Sequence, residues 1–240
     1  KLHGGARYDL FDYDLVNRKL PAASADYKGS VVTPKYGAIW NVQPDVELYA
    51  NVAQGFRSPA AEQISTSGSL GPLGASGGRV NADIDPSRVR SHDLGFNARP
   101  LDGLKVSGAV YYIQNEDEII NTAPDVFVAS GQTTRKGFEL DVNYQLSSAF
   151  SAYVSYGRIL RARLDNPAPG TGAQLSVPHH TWKAGLQHRR AAGPGTLTLN
   201  GDVYVTAGNP YYMGTPLYER DMPTYVRYDL KASYDIGKVQ

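Results

Sequence analysis

The stretch "GFELDVNYQL" at positions 137–146 alternates between apolar and polar residues without interruption. Polar residues fill the gaps in the apolar set, which consists of Phe138, Leu140, Val142, Tyr144 and Leu146. Because successive side chains of a β-strand point to opposite faces, this pattern predicts a strand with one apolar and one polar face. Two kinds of fold contain strands of this type. A soluble sandwich would bury the apolar face, and a membrane barrel would turn it toward lipid and the polar face toward a wet interior.

The same alternation recurs along the chain and predicts ten strands. They cover residues 2–13, 33–42, 46–57, 88–99, 103–115, 134–146, 149–160, 179–190, 196–207 and 224–236. Most of these segments have at least ten residues, whereas strands of globular sheets usually have about five or six. A tilted strand of about nine to eleven residues crosses the hydrocarbon core of a bilayer. The strand lengths therefore favour the membrane barrel.

The connections between the strands alternate in length. Short turns follow the even-numbered strands, at 43–45, 100–103, 147–148 and 191–195. Long loops are predicted after the odd-numbered strands, and the longest covers residues 58–86. Short periplasmic turns and long extracellular loops are typical of outer-membrane barrels, which predicts the direction of every strand.

Aromatic residues on the apolar side of the predicted strands fall into two groups near the strand ends. Those at the loop ends are Phe56, Tyr112, Tyr156 and Trp182, and those at the turn ends are Trp40, Phe96, Tyr144, Phe150 and Tyr234. Aromatic rings concentrate at both interfaces of a membrane. On the polar side, we expect a charge-compensated interior wall that includes Lys183, Asp202, Asp229 and Lys231.

Composition and motifs argue against several other classes of protein. Lys and Arg number 24 against 23 Asp and Glu, a balance that gives no support to nucleic-acid binding. The chain contains no Cys, which excludes disulfides and thiolate metal sites. The adjacent residues His179 and His180 would lie on opposite faces of a strand, which makes a shared metal site there unfavourable. No catalytic motif is present, so we predict neither an enzyme nor a metal centre.

Several segments resemble the barrel of TonB-dependent outer-membrane receptors. They are "ELYANVAQGFRSPAAEQI" (47–64), "DPSRVRSHDLGFNARP" (85–100), "VSGAVYYIQNEDEI" (106–119), "RKGFELDVNYQL" (135–146) and "VPHHTWKAGLQHR" (177–189). The similarity is collinear over nearly the whole chain. Its most specific element is the motif Phe56, Arg57, Ser58 and Pro59, in which an aromatic-alternating strand ends in Phe-Arg-small-Pro.

This resemblance implies an all-β, antiparallel transmembrane barrel of 22 strands in the bacterial outer membrane, of which this chain supplies about ten. We expect residues 1–240 to be a partial barrel domain, with the plug domain and the final strands outside it. The implied function is the import of a ferric siderophore or a similar metal chelate, a transported ligand rather than a covalently bound cofactor. The implied partners are outer-membrane lipid and the TonB-ExbB-ExbD complex, which would act through the plug.

Candidate ligand-binding residues lie in the loop "GNPYYMGTPLYERDMP" (208–223). It combines Tyr211, Tyr212, Tyr218 and Arg220, and Arg and Tyr suit the oxygen-rich surface of an anionic chelate. Arg57 is a further candidate at the same rim. The alternatives are an ordered loop packed on its neighbours and a structural role for Arg57. For the whole protein the alternative is a passive porin or a small closed barrel of ten strands, either an adhesin or an enzyme.

Overall fold

Twelve strands and one short helix make up the part of the chain that the computed structural model describes, which is residues 1–18, 21, 24–64, 84–123, 126–166, 175–213 and 218–236. The strands are β1 (Leu2–Leu15), β2 (Ala25–Gln43), β3 (Val46–Arg57), β4 (Ser87–Leu101), β5 (Leu104–Ala123), β6 (Val126–Gln145), β7 (Phe150–Leu164), β8 (His180–Ala192), β9 (Gly195–Ala207), β10 (Asn209–Met213), β11 (Tyr218–Met222) and β12 (Tyr225–Asp235). Helix α1 covers Ala61–Ile64. Within the described residues, no helix has the length and hydropathy to span a bilayer.

Ten of the strands form one antiparallel sheet in which each strand pairs with its neighbours along the chain. The order is β1 to β9 followed by β12, and β10 and β11 form a separate two-stranded hairpin in the connection from β9 to β12. Within the described residues, β1 and β12 pair with one neighbour each. The ten strands therefore do not close on themselves, which disagrees with the alternative of a small closed barrel of ten strands.

The predicted strands are confirmed, and two of the connections are shorter than expected. Strand β2 begins at Ala25 rather than at position 33, because it pairs with β1 as far as Leu15. Strands β5 and β6 continue to Ala123 and Val126, so the expected long loop after the fifth strand is mostly paired backbone. Register shifts near Asp117, whose φ is 54°, let this hairpin continue beyond the regular alternation.

The two faces of the sheet differ as the alternation predicts. Rows of apolar residues run across the strands on one face, for example Leu94 beside Val110 and Val110 beside Phe138. Leu94 is 57% exposed and Val110 is 53% exposed, although both lie in the middle of regular strands. A continuous apolar surface of this kind requires an apolar environment.

The buried apolar residues lie at the loop end of the polar face instead. A cluster of Tyr27, Ile64, Ile84 and Ile119 lies there, and the Tyr27 hydroxyl donates a hydrogen bond of 3.0 Å to the Ile84 carbonyl. The cluster therefore fixes both described ends of the connection 58–86, whose residues 65–83 lie outside the described residues.

The prediction that Phe56 belongs to the outer aromatic belt is wrong. Its ring packs against Phe11, with 5.3 Å between the ring centroids, and Phe11 packs against the buried cluster on the polar side. Strand β3 pairs with β2 only as far as Ala53, and the following residues can therefore turn toward β1. The strand pattern alone does not show where that pairing ends.

Candidate ligand-binding site

The predicted ligand-binding loop contains the hairpin of β10 and β11. Gly208 at the end of β9 has a φ of 59°, a value that glycine adopts without strain, and it turns the chain into the hairpin. The Asn209 side-chain amide donates hydrogen bonds to the carbonyls of Thr206 at 3.5 Å and Pro223 at 3.2 Å. The base of the hairpin is therefore joined to the ends of the loop.

Two of the candidate residues are brought together by the register of this hairpin. Tyr211 pairs directly with Arg220, and both are exposed. Side chains of directly opposed residues in an antiparallel pair lie about 5 Å apart at their Cβ atoms. A guanidinium and a phenol at this spacing present several hydrogen-bond donors beside an aromatic face, an arrangement suited to anionic oxygens.

The other two tyrosines belong to the same hairpin. In the backbone register Tyr212 pairs with Glu219, and Tyr218 pairs with Met213. The side chains of residues 212–219 lie outside the described residues. The ligand role of Tyr212 and Tyr218 stays a prediction.

Arg57 lies in another part of the sheet. It ends β3, is exposed, and its Nη2 donates a hydrogen bond of 3.5 Å to the Ile119 carbonyl of β5. Five strands, β4 to β8, separate β3 from β9, which leads into the hairpin. Within this sheet Arg57 is therefore not beside the hairpin, and its role in ligand binding stays a prediction.

The rest of the predicted motif packs at the loop end of the sheet. The Tyr13 hydroxyl donates a hydrogen bond of 3.2 Å to Ser58 Oγ, and Pro59 is buried. Together with the Phe56 contact, these interactions show that the motif orients the start of the connection 58–86.

The predicted charged wall is present on the polar face. Lys183, Asp202, Asp229 and Lys231 all lie there, and none of them is buried. Asp202 and Asp229 are directly opposite in register, and each has its own partner. The Tyr153 hydroxyl donates to Asp202 Oδ1 at 2.7 Å, and Arg227 Nε donates to Asp229 Oδ2 at 2.9 Å. Of these two partners only Arg227 carries a charge, so the described residues show one ion pair on the wall, and charge compensation of the whole wall stays a prediction.

Tyrosines lie across glycines of the neighbouring strand along this wall. Tyr49 covers Gly95, Tyr111 covers Gly137 and Tyr153 covers Gly185; a Cβ added to any of these glycines would lie less than 3 Å from the tyrosine ring or hydroxyl. Sequence reasoning missed this arrangement. The available signal was the regular placement of Tyr and Gly on the polar side of successive strands.

A comparison with known protein families identifies the barrel. The whole chain, residues 1–240, matches the family described as TonB dependent receptor-like, beta-barrel. The chain belongs to this family. Its apolar face is therefore the outer surface of an outer-membrane β-barrel, and its polar face lines the interior. The long-loop rim, which carries the hairpin, lies on the extracellular side.

Several relatives of this TonB-dependent receptor barrel are named as receptors for metal chelates. The ferric-pyoverdine BN7/BN8 receptor of Pseudomonas putida is 25% identical over 159 residues, which cover 66% of this chain and 19% of that protein. The metal-pseudopaline receptor CntO of Pseudomonas aeruginosa is 22% identical over 97% of this chain and 32% of that protein. The chain thus spans about a third or less of the length of these relatives.

Solved structures show the same fold. The siderophore receptor PiuA from Acinetobacter baumannii aligns with a TM-score of 0.69 and 21% identity, covering 99% of this chain and 34% of that one. The ferric-catecholate import receptor Fiu from E. coli K12 aligns with a TM-score of 0.66 and 17% identity, covering 99% of this chain and 36% of that one. At these identities the likeness supports the fold of the barrel and leaves the ligand open.

Proposed function

We propose that this chain is part of an active transport receptor that binds a ferric siderophore or a similar metal chelate at the extracellular mouth of its barrel. Import is energised through TonB, which acts on a plug domain. The observation that carries the proposal is the family match over residues 1–240. Relatives named as receptors for ferric pyoverdine and metal pseudopaline support a chelate as the transported ligand.

Within this function, the hairpin of β10 and β11 contributes to ligand capture through Tyr211 and Arg220. Their direct pairing places a cation and a phenol side by side on the extracellular rim. Both side chains are exposed, and the Asn209 hydrogen bonds to Thr206 and Pro223 hold the base of the hairpin in place. Preorganised Arg and aromatic anchors dominate many binding interfaces, and their truncation often costs about 2 kcal/mol or more when they are central.

The polar interior wall supports a barrel whose lumen is wet. Its exposed carboxylates, cations and tyrosine hydroxyls make the polar face compatible with water and with a polar domain inside the barrel. TonB dependence separates an active receptor from a passive porin. Uptake through a porin would continue after the proton gradient is collapsed, whereas uptake through this receptor is expected to stop.

The experiment measures binding and uptake by the full-length receptor with the substitutions Arg220→Ala and Tyr211→Ala, at matched surface levels. The probes are ferric pyoverdine and a panel of ferric catecholate and hydroxamate chelates. For the chelate that the wild-type receptor imports, each substitution is expected to weaken binding by about thirtyfold, because about 2 kcal/mol per central anchor corresponds to that factor. Arg190→Ala is the matched control, since Arg190 is exposed at the opposite rim.

Unchanged affinity in both hairpin variants would remove the hairpin from the binding site while leaving the transport function intact. Absence of energy-dependent uptake for every chelate in the panel, with the wild-type receptor in the membrane, would contradict the transport function itself.

A further inference from the structure

A cavity of about 520 Å³ lies on the polar face at the loop end, where β3 passes into helix α1. It is lined by residues 57–63 and by Tyr13 and Leu15 of β1, and it is here named the rim cavity. Its volume falls within the range of about 300–1,000 Å³ that is usual for small-molecule sites. Its lining includes neither Tyr211 nor Arg220, so it is separate from the hairpin of β10 and β11.

Packing on the buried cluster holds the walls of the rim cavity in place. The Tyr13 ring stacks on Tyr27 at 5.8 Å between ring centroids, and the Tyr13 hydroxyl donates a hydrogen bond of 3.2 Å to Ser58 Oγ. Pro59 is buried and its ring fixes the backbone φ angle. Ile64, which follows the lining segment, is completely buried. The segment that lines the cavity is therefore fixed at both of its ends.

Two side chains of opposite charge, Arg57 and Glu62, line the rim cavity, and both are exposed. The hydrogen bond of 3.5 Å from Arg57 Nη2 to the Ile119 carbonyl uses one of the five N–H donors of the guanidinium. Among the residues that the structure describes, no carboxylate lies within 4 Å of the Arg57 guanidinium and no cation lies within 4 Å of the Glu62 carboxylate. The two charges therefore do not neutralise each other.

A cation and a carboxylate on one cavity select a ligand group that carries both charges. A guanidinium binds a carboxylate through paired hydrogen bonds, and a carboxylate accepts hydrogen bonds from an ammonium group. A purely anionic group would be attracted by Arg57 and repelled by Glu62, and a purely cationic group would meet the reverse. A zwitterionic group satisfies both side chains.

We propose that the rim cavity binds an α-aminocarboxylate group carried by the transported chelate. Arg57 holds the carboxylate of this group, Glu62 holds its ammonium, and Tyr13 and Leu15 contact the carbon atoms between the group and the metal-binding part. This inference rests on the proposed transport function and adds the chemical class of the ligand. The hairpin contacts the metal-binding oxygens, and the rim cavity recognises a second part of the same molecule.

The experiment measures equilibrium binding of three forms of one ferric trihydroxamate chelate to the purified full-length receptor in detergent micelles. The first form carries an α-aminocarboxylate at its free end, the second has the amino group acetylated, and the third has the carboxylate converted to an amide. The wild-type receptor is expected to bind the first form at least about fivefold more tightly than either of the others, a factor suited to one ion pair in a water-exposed cavity.

The variants separate the two charges. Glu62→Gln is expected to abolish the preference for the first form over the acetylated form, and Arg57→Gln to abolish its preference over the amide. Arg57→Lys keeps the positive charge and is expected to retain the preference over the amide. A substitution that only disturbed the structure would weaken the binding of all three forms equally.

Two charged residues at the same rim serve as matched controls. Lys28 and Asp12 form an ion pair at 3.1 Å, and they lie on the other face from their neighbours Tyr27 and Tyr13. Lys28→Gln and Asp12→Asn are expected to change the preference among the three forms by less than about twofold.

Equal affinity of the wild-type receptor for the three forms, or binding of none of them, would overturn the inference. Energy-dependent uptake of another chelate would then leave the proposed function standing, because binding in micelles requires no energy source and is measured separately. Equal changes in the cavity and control variants would also overturn the inference. If Arg57→Gln does not reach the membrane, Glu62→Gln decides, since the Glu62 side chain is exposed.

Free alanine offers the same zwitterion without a metal and tests the source of the group. It is expected to displace the first form only in large excess, because it makes none of the contacts of the metal-binding part. Displacement at equal concentration would assign the rim cavity to free amino acids and overturn its assignment to the chelate.

Discussion

Substitution of Leu140 by Arg places a guanidinium in the middle of the apolar face. Leu140 is 40% exposed and pairs with Gly108 on one side and Tyr156 on the other. Gly108 has no side chain that could cover the new charge. A charged residue on the lipid face of a barrel costs about 2–4 kcal/mol at the midplane and less toward the interfaces.

The structure indicates where in this range the cost should fall. Phe138 and its partner Arg158 lie two residues from Leu140 along the strand, a distance of about 7 Å at 3.4 Å per residue. A long Arg side chain can extend toward that interface and keep its charge near water, so the expected cost is near the lower limit of about 2 kcal/mol. The positive charge of Arg158 adds repulsion of the same sign.

The assay is the free energy of unfolding of the full-length receptor in lipid vesicles, followed by tryptophan fluorescence during urea titration. The control is Asn143→Arg, on the exposed polar face opposite Lys105 and Tyr153. That change is expected to cost less than about 1 kcal/mol, mainly from repulsion by Lys105. Equal costs for the two substitutions would refute the assignment of the faces.

Two further predictions concern side-chain packing on the polar face. Gly185→Ala is expected to destabilise the barrel by about 1–3 kcal/mol, because the added Cβ would lie 2.3 Å from Tyr153 Cε1. The control Gly157→Ala, whose added Cβ has its nearest contact at 3.9 Å, is expected to cost under about 1 kcal/mol. The same urea titration compares the two variants. Tyr27→Phe removes the hydrogen bond to Ile84 and is expected to speed proteolysis in the connection 58–86. Burial raises the pKa of Tyr27 above its ordinary value of about 10, and the negative charge of Asp85 raises it further by a smaller amount. The stabilisation of the cluster by Tyr27 is thus expected to be fully present below about pH 10 in the wild-type receptor and to be lost as the pH rises through the raised pKa.

The sequence contained enough information to predict the sheet, because each strand separates an apolar environment from a wet one. Alternation over ten or more residues therefore predicts both the strand and which of its faces meets lipid, as in 137–146. The first and last residues of the strands were predicted less accurately. Strand β2 extends back to Ala25 above the membrane, where no environment imposes the alternation and the pairing with β1 decides instead.

Contacts between strands were the part that the sequence did not predict. The position of Phe56 against Phe11 depends on where β3 stops pairing with β2, and the cover of Gly185 by Tyr153 depends on the register of β7 and β8. In the candidate site, too, the sequence indicated the residues but not their contacts. The composition of the loop indicated Tyr211 and Arg220, but only the hairpin register shows that they are direct neighbours.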